Sequence, residues 1–313
     1  MAVTGTPPFP SQPSAERRLP GQPLGPCLGR LRRGAGDPTH RHHGGRWFRA
    51  TCTPEGPALL EVAEGRETVA RAWGAGAVWV LDQLPALLGH HDDPSGFRPD
   101  HPVLREAQRR FPGLRVGRTD AVWEALAPAV IEQKVTGKEA FAGFRWLVRR
   151  HGTPAPVPPE HPAHDLVCPP DPDVWARIPS WEWLRAGIDG ARSRTVVTAA
   201  RRAGALERTL HVAAEEADRR LQSLPGIGPW TSAEVRQRAH GDPDAWSDGD
   251  YHVPGWITFA LVGEKLDNDA AREVLEPYRG HRYRVQQLIG LIGAGPERRG
   301  PRRSLPTHLP RSW

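Results

Sequence analysis

Two stretches of the chain hold residue types that could do chemistry. Asp248-Gly249-Asp250-Tyr251-His252-Val253-Pro254 presents two carboxylates one glycine apart. Such a carboxylate can act as a helix N-cap, worth about 1 kcal/mol. It can also stabilise a developing cation or take a proton from water. Asp250 precedes a tyrosine and Asp248 a glycine, and on the residues alone Asp248 remains a rival. Trp230, twenty residues before Asp250, ends Leu224-Pro225-Gly226-Ile227-Gly228-Pro229-Trp230, and Thr231 follows it. Two glycines in a turn allow positive φ and a close approach to the backbone. A helix starting at such a turn points its first amides outward, where they favour a phosphate. The plainer reading of Gly-Ile-Gly is a corner between two helices.

These residues need helices on both sides of the turn. Ala213–Leu221 and Trp230–Arg238 have the apolar spacing for them, as does Tyr283–Leu291 near the end. Upstream, Val122, Leu126, Val130 and Ile131 lie at helical spacing after Thr119-Asp120, a cap signal, and Pro128 predicts a kink or break. Thr136 and Glu139 form a capping box for the next helix. Gly152 to Pro172 is a proline-rich loop, and short helices are expected near Val174, over 181–186 and over 192–203. Earlier, Trp47 to Cys52 and Ala58 to Val62 read as strands about the turn Pro54-Glu55-Gly56-Pro57. Glu67 to Trp73 and Val78 to Leu88 read as helices split by Gly74-Ala75-Gly76. The expected organisation is a disordered basic tail over 1–44, a small α/β lobe over 45–110, a helical region over 111–295 and a second basic tail over 296–313.

Composition narrows the classes. The 313 residues are 38% hydrophobic and 25% charged, with no apolar run long enough to span a bilayer and no apolar signal segment, so a cytoplasmic protein is expected. Cys27, Cys52 and Cys168 lie far apart, which speaks against a disulfide framework and a four-cysteine iron–sulfur or zinc site. His40, His42 and His43, and the run His90-His91-Asp92-Asp93, lack helical ligand spacing. The net charge of +6 rests on 39 Arg against only 3 Lys, and residues 1–44 and 296–313 each carry +4, leaving the middle slightly acidic. Charge alone therefore does not argue for nucleic acid; basic ends would add diffuse, salt-sensitive attraction.

The hairpin string followed at twenty residues by Asp250-Tyr251 resembles the helix–hairpin–helix DNA base-excision glycosylases, in particular the alkylation-repair branch of 3-methyladenine DNA glycosylase II. Val130-Ile131-Glu132-Gln133-Lys134-Val135 resembles the family's segment before the helix that faces DNA. The likeness covers roughly Thr119 to Leu291. It implies a mostly α fold, a helix–hairpin–helix glycosylase bundle with a small amino-terminal α/β lobe and disordered tails. It implies Asp250 as the catalytic carboxylate, and Trp230 and Tyr251 in the base pocket. Gly226, Gly228, Thr231, Gln133 and Lys134 would contact DNA, with Gln133 or Lys134 near the gap left by a flipped base. The carbonyls of Gln222, Leu224 and Ile227 would hold a monovalent cation. Bifunctional relatives place a lysine where Trp230 stands, so the resemblance implies a monofunctional enzyme, without an iron–sulfur cluster. Glu234 departs from the pattern, standing where a close relative has an active-site aromatic residue; Ile289 or a neighbour replaces a pocket tryptophan.

The resulting expectation is a monofunctional glycosylase that hydrolyses the N-glycosidic bond of alkylated bases in double-stranded DNA. It would work as a monomer in the bacterial cytoplasm, associated with the nucleoid and not with membrane. The alternatives are a DNA-binding module that uses the hairpin without catalysis, a glycosylase–lyase, and a glycosylase for another damaged base.

Overall fold

The computed structural model describes residues 12–296. A five-stranded antiparallel sheet of order β1-β5-β4-β3-β2 opens the chain, built from β1 (Ala15–Pro20), β2 (His40–His43), β3 (Arg46–Thr53), β4 (Gly56–Ala63) and β5 (Glu67–Trp73). Central β4 is buried on both faces. Its Ala58, Leu60 and Val62 pack against α1 (Gly25–Leu28) and α2 (Ala77–Leu87). Leu59 faces Ala155, Val157 and Leu166 of the proline-rich loop, which carries the short pair β6 (Thr153–Pro154) and β7 (Val167–Cys168). No helix among the described residues is long and apolar enough to cross a membrane.

The stretch expected as a tail is part of this lobe from residue 12 to residue 44. Leu19 packs on its core, and Leu24, Cys27, Leu28 and Leu31 are buried in it. The arginines that made the segment read as solvated are satisfied by partners remote in sequence. Arg17 reaches Leu81 O (2.9 Å), Arg30 reaches Gln237 O (2.8 Å) and Arg41 chelates Asp165 (2.6 and 2.7 Å). Residues 1–11 and 297–313, where the rest of the expected tails fall, lie outside the described residues.

Two further expectations change. Glu67–Trp73 is a strand, although Ala, Arg and Glu favour helix. Thr68, Ala70 and Ala72 alternate inward, and pairing with both β1 and β4 overrides local propensity. The lobe also ends earlier than residue 110. α3 (Pro102–Arg110) buries Leu104 and Ala107 against Ile257, Val285 and Leu288 of the carboxy-terminal helices, not against the sheet.

The main helical core is made by α4 (Val122–Ile131), α5 (Gly137–His151), α6 (Pro172–Arg177), α7 (Ser180–Arg185), α8 (Gly190–Ala200), α9 (Ala203–Glu207), α10 (Ala214–Gln222) and α11 (Pro229–Val235). α12 (Val253–Val262), α13 (Asn268–Leu275) and α14 (Arg282–Ile292) form the second helical cluster with α3. The capping box of Thr136 and Glu139 starts α5. Helix α4 is the central rod: residues 125–131 are all buried, and it continues through Pro128 because packing on every side holds it. Its cap is also not Thr119-Asp120. The Glu207 carboxylate, from α9, accepts the amides of Val122 (2.9 Å) and Trp123 (2.8 Å).

The 90–100 loop is held to the closing helix by Arg284 and Asp92, a bidentate pair (2.7 and 2.9 Å) with each side chain only 2% exposed. Asp92 also accepts the Val116 amide (3.0 Å). Removing one partner strands a buried charge, so Asp92→Ala is expected to cost about 3–5 kcal/mol of unfolding free energy. Urea unfolding checks this; a loss below about 1 kcal/mol would show that water reaches the Arg284 site.

Candidate active site

The hairpin sits between α10 and α11. Gly226 has φ +88°, and a Cβ there would run into the Thr195 hydroxyl, so the turn itself requires glycine at this position. Gly228 differs. It is the N-cap of α11 with φ −101° and ψ −176°, which any residue adopts, and a Cβ on it would meet nothing within 4 Å. Its lack of a side chain leaves open the approach to the start of α11. No side chain caps that start, and Pro229 at the first position has no N–H to offer.

Gln133, at the end of α4, braces the turn. Its side-chain amide donates to Gly226 O (2.9 Å) and Thr231 Oγ1 (2.8 Å). Thr231 is only 2% exposed and its hydroxyl is taken by Gln133, so the side chain expected to touch DNA is internal and only its backbone faces the helix start. Lys134 next to Gln133 is exposed and held at φ +55°, an uncommon conformation for a residue with a Cβ. Of the three carbonyls assigned to a cation, that of Leu224 accepts the Ile227 amide within the turn (3.1 Å), leaving it one lone pair for an ion.

The structure brings Trp230 and Asp250 together. The Trp230 indole N–H donates to Asp250 Oδ2 (3.1 Å), and Asp250 Oδ1 accepts the amides of His252 (2.7 Å) and Val253 (2.9 Å) where α12 begins. Asp250 thus caps the start of α12 with one oxygen while the other takes the indole N–H. All three donors are neutral, so they orient the carboxylate without a counter-cation. Asp248 is placed differently. Arg272 grips both its oxygens (2.9 and 3.0 Å) and Asn268 adds a third bond (2.8 Å), so its charge is already spent on α13.

Tyr251 does not line a pocket with Trp230. It is 87% exposed, its ring edge-on to His252 at 4.8 Å, because the turn that aims Asp250 inward points the next residue outward. Ile289 is buried in the second helical cluster. The wall beyond Trp230 is ionic. Glu234, one helical turn on, accepts from Ser247 Oγ (2.6 Å) and from Arg238 (2.6 Å), and Ser247 O in turn accepts the Asp250 amide (3.1 Å). Glu132 faces this pair, with Arg33 Nε at 3.5 Å. Burial pushes the Glu132 carboxyl above the usual range, although Arg33 and Arg238 pull it back. Burial opposes the charge on Arg238, yet Glu234 and Glu132 hold its pKa above the ordinary value. Sequence reading noted Glu234 only as a departure and gave Glu132 no role; an acidic residue directly before Gln133 was the available signal.

The histidine and acidic runs are structural. Burial depresses the His40 pKa to about 4, and its Nδ1 lies 2.7 Å from Thr39 Oγ1; His42 stacks on Trp47. Among the described residues no group of three or more His, Cys, Asp or Glu could hold a metal.

The chain is similar to the 3-methyladenine DNA-glycosylase from Archaeoglobus fulgidus with a TM-score of 0.73 over 88% of this chain and 97% of that one, at 20% identity. It is 29% identical over 253 residues to the probable bifunctional transcriptional activator/DNA repair enzyme AlkA of Mycobacterium tuberculosis. The likeness shows that the chain has a helix–hairpin–helix glycosylase fold. The AlkA match covers 70% of this chain and 48% of the relative, so the chain spans about half the length of the curated relatives it matches. The Clostridium acetobutylicum 8-oxoguanine glycosylase/lyase in complex with double-stranded DNA aligns with a TM-score of 0.65 and 13% identity over 85% of this chain and 90% of that one. No family profile matches the chain.

The two hairpin glycines should separate in a stability measurement. Gly226→Ala is expected to lower stability by about 1–3 kcal/mol, from the positive φ and the clash with Thr195. Gly228→Ala should stay within about 0.5 kcal/mol of the parent. Thermal melts of both variants check this, and equal losses would show that Gly228 too is required by the turn.

Proposed function

We propose that this chain is a monofunctional DNA glycosylase that hydrolyses the N-glycosidic bond of alkylated bases in double-stranded DNA. The observation that carries the reading is Asp250, a carboxylate aimed by Trp230 and two backbone amides and set against the hairpin that would grip the phosphates. A base cannot be cut inside the stack. The damaged nucleotide is flipped out at a cost of a few kcal/mol, with the backbone at Gly226, Gly228 and the start of α11 holding the strand. Lys134, exposed beside Gln133, would enter the gap or meet a phosphate. Hard backbone oxygens at Gln222, Leu224 and Ile227 would suit a monovalent cation, which would add positive charge where the hairpin meets phosphate.

An alkylated purine is cationic and leaves as a neutral base. The chemical need is then negative charge beside the sugar as C1′ becomes cationic, and a group to orient or deprotonate the attacking water. Asp250 can supply both. Trp230 positions that carboxylate through its N–H, and its partly exposed ring can face the cationic base, a contact of about 0.5–2 kcal/mol. A lysine amine at the hairpin would be needed for the covalent strand-nicking route, and tryptophan stands there instead.

Three measurements test the reading. On alkylated genomic DNA, mass spectrometry should detect released alkylpurines. Asp250→Asn, which keeps the cap but removes the charge, should slow release by about 100-fold or more while abasic-site DNA still binds. Asp248→Asn should act mainly on stability. Normal excision by Asp250→Asn would overturn the assignment and leave a DNA-binding module. Borohydride should trap no covalent enzyme–DNA adduct; efficient trapping would make the protein a lyase. Gly228→Val, whose side chain the fold accommodates, should greatly weaken binding to an abasic duplex at every salt concentration, and unchanged binding would make the hairpin a mere corner.

A further inference from the structure

A cavity of about 370 Å³ lies where the amino-terminal lobe meets the helical core. That is a volume which a small organic molecule fills. One side is the turn between β3 and β4 with the end of the proline-rich loop, and the other is formed by the starts of α4 and α9. No residue of the hairpin, α11 or α12 lines it, so it is separate from the surroundings of Asp250. Much of its wall is apolar. Trp123, Phe144 and Trp175 supply rings, and Pro128, Pro169 and Pro170 supply rigid aliphatic surface. Trp123 and Trp175 meet edge to face, with 6.4 Å between their centroids.

Every charged side chain that lines this cavity is acidic: Asp120, Glu124, Asp171 and Glu207. Two of them have cations of their own. Arg49 donates to Glu124 (2.9 Å), and Arg118 Nε lies 3.0 Å from Asp120. The other two have only neutral donors. Asp171 accepts the Val174 amide as the N-cap of α6 (2.8 Å), and each oxygen of Glu207 accepts one amide at the start of α4. Among the described residues neither Asp171 nor Glu207 forms an ion pair. Burial raises the Glu207 pKa against the pull of its two amides, and the charges of Glu124 and Asp120 add to the rise. These carboxyl groups repel one another across a space of low dielectric, and a positive guest would relieve that repulsion. A metal ion does not fit, since among the described residues no group of three or more His, Cys, Asp or Glu could hold one.

We propose that this cavity binds a small organic monocation, an ammonium head on an apolar body. The inference goes beyond the glycosylase reading and does not depend on it. The head would sit against Glu207, whose oxygens each keep a lone pair after accepting their amides. An ammonium group is also drawn to the face of an indole, so Trp123 or Trp175 would complete its seat. The apolar body would lie along the prolines and the Phe144 ring, displacing water from hydrocarbon surface. A neutral guest of the same shape would leave the negative potential uncompensated, and an anion would be repelled.

The experiment titrates the full chain at neutral pH with benzylammonium, its neutral analogue benzyl alcohol and the anion benzoate, and follows the indole N–H signals by NMR. Benzylammonium should saturate one site with a Kd on the order of 1 mM or tighter, as suits so small a ligand. Benzyl alcohol and benzoate should bind about 10-fold more weakly or worse. Two variants locate the site. Glu207→Gln removes the unpaired charge and should weaken benzylammonium about 10-fold. Gly204 lines the cavity, and a Cβ on it would meet nothing within 4 Å, so Gly204→Leu should fold and yet fill the space, abolishing binding. If circular dichroism shows that Glu207→Gln is unfolded, Gly204→Leu carries the test alone. The proposal is overturned by absence of saturable benzylammonium binding, by equal affinity for benzyl alcohol or benzoate, or by wild-type affinity in either folded variant.

Discussion

The hold on one carboxylate organises this molecule. Asp250 can serve at a sugar only if it stays charged, aimed and unpaired, and three N–H groups from two helices meet those demands together. Trp230 contributes from the start of α11, and the first amides of α12 contribute from the other side. A cation would orient the group as well, but would cancel the charge that the proposed chemistry uses. Asp248, two residues away, has that fate under Arg272. The difference between the two aspartates lies in their partners and not in their residue type.

Everything else can be read as fixing the start of α11 relative to the start of α12. Buried α4 supplies the rigid axis, and its end reaches the hairpin through Gln133. The opposite end of α4 is capped by Glu207, and Arg238 and Ala239 carbonyls accept the Thr119 and Asp120 amides just before it, so the helix is tied at both ends to segments far away in sequence. The amino-terminal lobe joins in through Arg30, which reaches Gln237 O, and Arg33, which reaches Glu132. An antiparallel lobe packed on a helical body thereby contributes side chains to the charged cluster of Glu132, Glu234 and Arg238.

The charged cluster behind Trp230 differs in character from an aromatic box. An aromatic box recognises a cationic base by its positive charge and flat shape. Paired carboxyl and guanidinium groups instead present donors and acceptors in low dielectric, where hydrogen bonds are stronger and unmet ones cost more. Burying Glu234 and Arg238 is tolerable because each satisfies the other and Ser247 completes the set.

Read alone, the sequence determined the hairpin, the Asp250 position and the helical character of residues after 111, because each is written in contiguous residues. Glycines in a turn, the Thr136–Glu139 capping box and apolar spacing are local signals, set by backbone geometry within a few residues. Only the tertiary structure decided what lies across the fold. The segment before residue 44 read as a solvated tail because its arginines find acceptors such as Leu81, Gln237 and Asp165 only in the folded state. Glu67–Trp73 became a strand because β1 and β4 offered it hydrogen bonds that no local window contains. Thr231 turned inward to Gln133 and Tyr251 outward to solvent, since which way a side chain faces depends on what packs beside it. For the same reason Glu132 and Arg33, almost a hundred positions apart, became visible as neighbours only once the lobe had docked on the helices.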